Sequence, residues 1–313
     1  MPDTAKCTVI GAGFVGATSA FALMQSGLFS EIVLLDLNEK RAQGEAMDLN
    51  HGMPFAQPVK IYAGNYDDVA GADLVIIAAG ANQKPGETRM DLAGKNIEVF
   101  RGIVGEIVKR NTSCILLVVT NPVDVLTYAA LKFSGFPPGR VIGSGTVLDT
   151  ARLKYLLGGH FGVDSRNIHA YILGEHGDTE LAAWSSASVA GMPVATFCEQ
   201  CGKCQNSENL GAIFDDVRTS AYRIIEGKGA TYYAVALAVR RIAEAIMRDE
   251  RSVLTVSGYV DGEYGLNDVC IGLPRIVGRQ GLMPLPEMPL SQDEMEKLRA
   301  SAEAIRELTG RIK

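Results

Sequence analysis

The sequence predicts an α/β protein in which a doubly wound parallel sheet is followed by a mixed α+β domain. In the first half, short apolar runs alternate with helical patterns, as in strand–helix–strand units. The run 114–119 is apolar at every position, which is typical of a strand covered by helices on both faces. After Gly145 the alternation ends and glycine-punctuated runs take over. We therefore expect one domain over residues 1–144 and a second over residues 145–313.

The first domain contains six predicted strands, each a short apolar run. They cover residues 7–10, 32–36, 59–63, 74–79, 114–120 and 141–144. Because helical patterns alternate with these strands, we expect the strands to pair in parallel.

The second domain mixes helices and strands without a regular order. Helices are expected over 148–157 and 231–247, and strands over 168–173, 252–259 and 269–277. The last helix is expected to begin at Ser291, because Glu294 stands three residues on, as in a capping box. No flexible linker separates the two domains, so we expect them to share a cleft.

Composition excludes several classes of function. The 313 residues carry a formal net charge of -6 and are 47% hydrophobic, so no basic field exists to hold a nucleic acid or an anionic membrane. No apolar run approaches the roughly 18 residues of a membrane span. A predicted strand begins at Cys7, where a signal peptide would have its apolar core. We expect a cytoplasmic protein that binds neither nucleic acid nor membrane.

Three of the six cysteines form one cluster. Cys198, Cys201 and Cys204 stand in C-x-x-C-x-x-C order, which resembles three ligands of an iron–sulfur or zinc site. A fourth ligand is missing nearby, and structural zinc requires four. We therefore expect a polar surface loop with exposed, reduced thiols and no bound metal.

A glycine-rich turn follows the first predicted strand. Gly11, Gly13 and Gly16 have the spacing G-x-G-x-x-G between a strand and a helical pattern, and Asp36 ends the next strand. In such a turn the first glycine permits the bend, the second admits a pyrophosphate and the third allows close packing. A carboxylate at position 36 would bind the adenosine ribose and repel the 2′-phosphate of NADP. The sequence thus predicts a Rossmann-type NAD-binding domain; the alternative is a turn with accidental glycines.

A histidine between glycines is the best-placed proton donor. His176 lies in Gly-Glu-His-Gly-Asp after a predicted strand, and the chain has only four histidines. Asp149 is a candidate carboxylate partner that would raise the pKa of His176. Arg152 stands three residues after Asp149 on the same predicted helix face; it is either a binding residue or half of an intrahelical ion pair. The loop 81–90 follows the fourth strand and ends near Arg89, which could close over a ligand.

Taken together, these motifs resemble the L-lactate and malate dehydrogenase family, in particular its bacterial L-lactate dehydrogenases. The likeness runs from Gly11 through the C-terminal helix. The matching segments are 11–16, Asp36, 80–89, 120–124, 148–152, 174–178 and 229–233.

The resemblance implies reduction of a keto carbon by hydride from NADH. Protonated His176 would donate to the developing alkoxide and Asp149 would stabilise the imidazolium. Arg152 would hold the substrate carboxylate through two parallel hydrogen bonds, and Arg89 would polarise the keto oxygen. The remaining implied substrate residues are Gln83, Asn121, Asp124 and Thr231. The remaining implied cofactor residues are Val15, Arg41, Tyr66, Gly80, Ala81, Val119, Asn121 and Ser144.

Gln83 decides which substrate the resemblance favours. Family members that act on oxaloacetate carry arginine at the matching position, and a neutral residue would leave a second carboxylate unpaired. Pyruvate and L-lactate are therefore the expected pair, with Thr231 limiting the pocket.

The resemblance also raises the question of assembly and regulation. It suggests a homotetramer, and Lys154 and His169 match positions where activated bacterial members bind fructose 1,6-bisphosphate. Lysine replaces the more usual arginine there, so weak binding is expected; the alternative is a solvated lysine and a core histidine.

Other functions remain open at this point. One is a malate dehydrogenase or a broader L-2-hydroxyacid dehydrogenase, and another is a non-catalytic NAD-binding protein. NAD-dependent glycosidases share the glycine turn but need metal ligands, of which we find no set.

Overall fold

A nine-stranded sheet forms the centre of the computed structural model, which describes residues 5–81, 89–202, 208–310 and 312. The sheet contains β1 (Lys6–Ile10), β2 (Glu31–Leu35), β3 (Lys60–Ala63), β4 (Leu74–Ile77), β5 (Ile115–Val118), β6 (Val141–Gly143), β12 (Ser252–Asp261), β13 (Asn267–Gly278) and β14 (Gly281–Met283). Five short strands lie outside it: β7 (Ile168–His169), β8 (Ile172–Leu173), β9 (Leu181–Ala182), β10 (Ser188–Val189) and β11 (Met192–Pro193).

The strand order is β14-β13-β12-β6-β5-β4-β1-β2-β3. β1 to β6 pair in parallel, as predicted, and the central residues of all of them except the edge strand β3 are fully buried. β12 to β14 extend the same sheet in antiparallel fashion beyond β6. One sheet therefore crosses the predicted domain boundary at residue 144.

Helices cover both faces of the sheet and form two large apolar cores. The described helices are α1 (Phe14–Met24), α2 (Glu39–His51), α3 (Arg89–Val108), α4 (Val123–Ser134), α5 (Val147–Phe161), α6 (Val194–Gln200), α7 (Glu208–Lys228), α8 (Tyr233–Met247) and α9 (Gln292–Thr309). The capping box predicted at the last helix is present, since Ser291 accepts from the Glu294 N–H and Glu294 accepts in return. None of the described helices is both long and apolar enough to cross a membrane.

The predicted strand 168–173 is wrong as a single element. Its first part, β7, pairs with β10, whereas its second part, β8, pairs with β9. Because the two parts have different partners, the chain leaves one small sheet and enters another within six residues.

The expectation of exposed, reduced thiols in the cysteine cluster is wrong for Cys198. This residue lies in α6, is 5% exposed and is bonded in a disulfide. The other described cysteines, Cys7, Cys114, Cys201 and Cys270, are free thiols. Cys204 lies outside the described residues. The helical pattern of α6 turns Cys198 inward against a third apolar core, which residue spacing alone did not reveal.

Candidate active site

The glycine turn between β1 and α1 has the geometry that its sequence predicts. Gly11 adopts φ +100°, and a Cβ there would lie 2.5 Å from the Ala79 nitrogen. A Cβ on Gly16 would lie 1.8 Å from the Gly11 carbonyl oxygen. At Gly13, by contrast, a Cβ would meet nothing within 4 Å. Gly11 and Gly16 are therefore required by the fold, whereas Gly13 faces open space.

The open space lies at the start of α1, which suits an anion. Gly13 is the N-cap, no described side chain caps the helix, and the first turn has no acidic residue. Uncapped N–H groups and the helix dipole attract a phosphate. The turn therefore fits the pyrophosphate of NAD.

Asp36 lies where a ribose carboxylate is expected, just after β2. Its Oδ2 accepts from the Ala12 N–H at 2.8 Å, and its Oδ1 accepts from the Asn38 N–H at 2.8 Å. The carboxylate is thus fixed beside the glycine turn, where it can accept from a ribose hydroxyl and would repel a 2′-phosphate.

The other predicted cofactor residues follow the carboxyl ends of neighbouring parallel strands, the edge where doubly wound sheets bind ligands. Val15 and Arg41 lie in α1 and α2, Tyr66 follows β3, Gly80 and Ala81 follow β4, Val119 and Asn121 follow β5, and Ser144 follows β6. The structure thus places every described member of this set along one edge of the sheet.

Asn96 is a residue that the sequence reasoning missed. It is fully buried in α3, where its Oδ1 accepts from the Ala81 N–H at 2.7 Å and its Nδ2 donates to the Asn121 carbonyl at 3.0 Å. It therefore ties the segments after β4 and β5 together. The available signal was an amide side chain in an otherwise amphipathic helix.

The structure brings His176, Asp149 and Arg152 together. Asp149 is 2% exposed in the first turn of α5; its Oδ2 lies 2.5 Å from His176 Nδ1, and its Oδ1 accepts from Arg152 Nη1 at 2.7 Å. Both alternatives for Arg152 are thus compatible, because the intrahelical ion pair also holds the guanidinium beside the imidazole. The Asp149 carboxylate therefore orients both the imidazole of His176 and the guanidinium of Arg152.

This arrangement shifts two pKa values in opposite directions. Burial lowers the pKa of His176, but the Asp149 carboxylate more than offsets it, and the pKa rises to about 9. Burial raises the pKa of Asp149, but His176 and Arg152 override it and hold that pKa below its usual range. At neutral pH the pair is therefore an imidazolium beside a carboxylate.

Asp124 joins the catalytic segment to the sheet edge. It lies 2% exposed in the first turn of α4, and its Oδ2 accepts from the His176 N–H at 2.8 Å. Burial raises the pKa of Asp124 to about 6. This residue was predicted to bind substrate, but its contact in the structure is with the backbone that carries the proton donor.

Glu180 is a second residue that the sequence reasoning missed. Ligand atoms of Glu180, Asp149 and His176 all lie within 4.8 Å of one another, and Glu180 is 8% exposed. Although these residue types can bind a metal, both oxygens of Asp149 are already engaged by Arg152 and His176. We therefore describe the group as a charge cluster.

Next to this cluster lies a cavity of about 340 Å³. Its walls include Arg152 and Leu148 from α5, Ile224 and Lys228 from α7, and the predicted pocket residue Thr231. Arg152 and Lys228 are therefore the charged groups of a largely apolar space, which suits a small carboxylate with a short apolar group.

Four further predicted residues differ in how much of them the structure describes and in their exposure. Gln83 lies outside the described residues, and the structure describes Arg89 only as the start of α3, without its side chain. Lys154 is half-buried in α5, where burial lowers its pKa, whereas His169 is exposed on β7. His169 is thus not a core residue, although α5 packs against β7.

Comparisons with known proteins agree with this geometry. The model for the lactate/malate dehydrogenase NAD binding domain matches residues 5–143, and that for the alpha/beta C-terminal domain matches residues 146–312. An L-lactate dehydrogenase of Acetivibrio thermocellus is 60% identical over 303 residues, 97% of this chain and 96% of the relative. L-lactate dehydrogenase 1 of Clostridium acetobutylicum is 56% identical over 308 residues, 98% of each chain. The solved structure of a minor L-lactate dehydrogenase from Enterococcus mundtii, in a ligands-bound form, superposes with TM-score 0.96 at 39% identity and covers 99% of each chain.

Proposed function

The chain belongs to the lactate/malate dehydrogenase family, and on that premise we propose that it catalyses reversible hydride transfer between NADH and pyruvate to give L-lactate. The observation that carries the proposal is the position of Asp149 between the His176 imidazole and the Arg152 guanidinium. One charged group is thereby set to bind a carboxylate and the other to supply a proton.

Different side chains bind the substrate and transfer the proton. Arg152 binds the pyruvate carboxylate, for which a planar guanidinium offers two parallel hydrogen bonds. His176, held at Nδ1 by Asp149, donates the proton on Nε2 to the keto oxygen as charge develops there. Arg89 closes over the same keto oxygen, and Thr231 limits the size of the third group on the keto carbon, which is a methyl in pyruvate. NADH, when bound at the glycine turn, supplies the hydride.

Pyruvate is favoured over a dicarboxylate because Gln83 is neutral. At that position a second carboxylate would face an uncharged amide instead of the arginine of the oxaloacetate-specific members, in a site that excludes water. The alternatives, a malate or broader L-2-hydroxyacid dehydrogenase, differ in this one preference.

The test is loss of NADH absorbance with pyruvate, oxaloacetate and phenylpyruvate offered separately. We expect kcat/KM to be highest for pyruvate. A higher value for oxaloacetate would make the enzyme a malate dehydrogenase, and no turnover with any of the three would leave only NAD binding.

We further propose a cytoplasmic homotetramer that serves glycolysis by pyruvate fermentation. Exposed apolar side chains on the adjacent helices α1 and α8, namely Phe21, Tyr233 and Leu237, support burial against other subunits. Light scattering on the purified chain tests the assembly, and a monomer would reject it.

Allosteric activation by fructose 1,6-bisphosphate is the regulatory part of the proposal. Lys154 and His169 supply the groups that bind the phosphates, and the sugar phosphate favours the active state by binding it more tightly than the inactive state. Pyruvate saturation is compared with and without the effector, in the wild type and in a Lys154→Ala, His169→Ala double variant. Wild-type curves that coincide would reject the site.

A further inference from the structure

Glu180 is a buried acid beside the catalytic pair to which the proposed reaction assigns no role. The residue is 8% exposed, and one of its carboxyl oxygens lies within 4.8 Å of a carboxylate oxygen of Asp149 and of a ring nitrogen of His176. It belongs to the same short segment as His176, since its N–H donates to the Gly177 carbonyl at 3.3 Å. A carboxyl at this distance cannot change its charge without changing the field at the imidazole.

We propose that Glu180 is a positioning residue for proton transfer: its carboxyl faces the His176–Asp149 pair and, when ionised, holds the proton on the imidazole. The inference rests on the proposed pyruvate reduction and adds to it a second carboxylate that acts through His176.

Charges from several elements face this group. Asp149 and Arg152 reach it from α5, Arg218 from α7, and His176 from its own segment, while Asp124 at the start of α4 faces His176. Burial, followed by the charge of Asp149, raises the pKa of Glu180 to about 8. The carboxyl is thus neutral at neutral pH and ionises just below the range in which His176 loses its proton.

The order of these two titrations determines the effect. Below about pH 7 Glu180 is uncharged and resembles a glutamine in shape and polarity. Above about pH 8 its negative charge stabilises the imidazolium, so the pKa of His176 is higher than it would be beside a neutral group. Because reduction needs protonated His176, the pH at which kcat/KM for pyruvate falls should report this difference in pKa.

Glu180→Gln removes the charge and keeps the shape. At pH 6.5 we expect kcat/KM for pyruvate and for L-lactate to equal the wild-type values. Near pH 8.5 we expect kcat/KM for pyruvate to fall by about threefold, since one nearby charge shifts a partner's pKa by about one unit. A role in structure alone would lower both directions at every pH.

Two variants make the test specific. Glu180→Asp keeps a carboxyl but withdraws it by one methylene, so its profile should lie between those of the wild type and Glu180→Gln. Glu294→Gln changes another buried carboxylate, 5% exposed, which accepts from the Ser185 and Ser291 N–H groups at the start of α9. Its pH profiles should not shift.

A titration without substrate separates this inference from the proposed function. With only four histidines in the chain, carbon-13 labelling of histidine resolves His176 by NMR, and the His176→Gln variant assigns its signal. We expect a lower midpoint in Glu180→Gln than in the wild type. Equal midpoints, or superimposed kinetic profiles in an active enzyme, would overturn the role of Glu180. Absence of any pyruvate turnover would instead overturn the proposed function, and the NMR titration would still decide on Glu180.

Discussion

At the glycine turn, the backbone conformation determines what can bind. Around His176, the positions of the charged side chains determine it. The turn is made by contiguous residues, and its requirements are steric: a Cβ on Gly16 would lie 1.8 Å from a carbonyl oxygen, and one on Gly13 would lie in open space. The catalytic cluster instead gathers side chains from α4, α5 and the segment that follows β8, all within hydrogen-bond distance of a neighbour. Substitutions should therefore act on cofactor binding in the first region and on protonation and substrate binding in the second.

The largest effect is expected for His176→Gln. Loss of a positioned proton donor typically lowers turnover by roughly two to four orders of magnitude. Binding of NADH, measured by fluorescence titration, should stay close to wild type, because His176 belongs to the catalytic cluster and not to the glycine turn. His51→Gln, an exposed histidine at the end of α2, is the control. Wild-type turnover in His176→Gln would show that His176 is not the proton donor.

Arg152→Lys should come next. Lysine keeps the charge but loses one of two parallel hydrogen bonds to the substrate carboxylate, so KM for pyruvate should rise roughly ten- to hundredfold. Arg166→Lys is the matched control, since Arg166 forms an exposed ion pair with Asp164. If Arg152→Lys has an unchanged KM, the arginine serves only the ion pair with Asp149.

Gly13→Ala tests whether the glycine turn is the cofactor site. The added methyl meets no protein atom within 4 Å but occupies the space assigned to the pyrophosphate. We expect normal thermal unfolding and roughly ten- to hundredfold weaker NADH binding, the loss of about one charge-assisted hydrogen bond. Gly102→Ala, also free of contacts within 4 Å, controls for the substitution itself. Equal NADH affinity in the two variants would place the pyrophosphate elsewhere.

Contiguous motifs were predictable from the sequence because each has its own local geometry. The glycine turn, the carboxylate after β2 and the i, i+3 pair of Asp149 and Arg152 all have the positions that their spacing implies. Asn96 was missed because its hydrogen-bond partners are distant in the sequence, and Glu180 was missed because Asp149, one of the two groups it faces, lies in another element. The break between β7 and β8 was missed for the same reason, since pairing partners determine it.

The smallest effect is expected for Asp36→Ala. Removal of the charge should weaken discrimination against NADP by up to about tenfold, since the 2′-phosphate is no longer repelled. Because Asp36 also accepts from the Ala12 and Asn38 N–H groups, NAD binding should weaken as well. Asp48→Ala, an exposed acid in α2, is the control. Unchanged selectivity for NAD over NADP in Asp36→Ala would show that another residue determines it.

The central claim is that Asp149 keeps the proton on His176. The direct measurement is the pH dependence of kcat/KM for pyruvate in the wild type and in Asp149→Asn. Reduction needs the protonated imidazole, so the wild-type value should be constant at neutral pH and fall as pH rises through about 9. Without the Asp149 carboxylate, His176 loses the largest interaction that raises its pKa and keeps only the smaller ones with Asp124 and Glu180, so the fall should move to a clearly lower pH, toward about 6.5, the ordinary value for histidine. A fall near pH 9 in both enzymes would contradict the account.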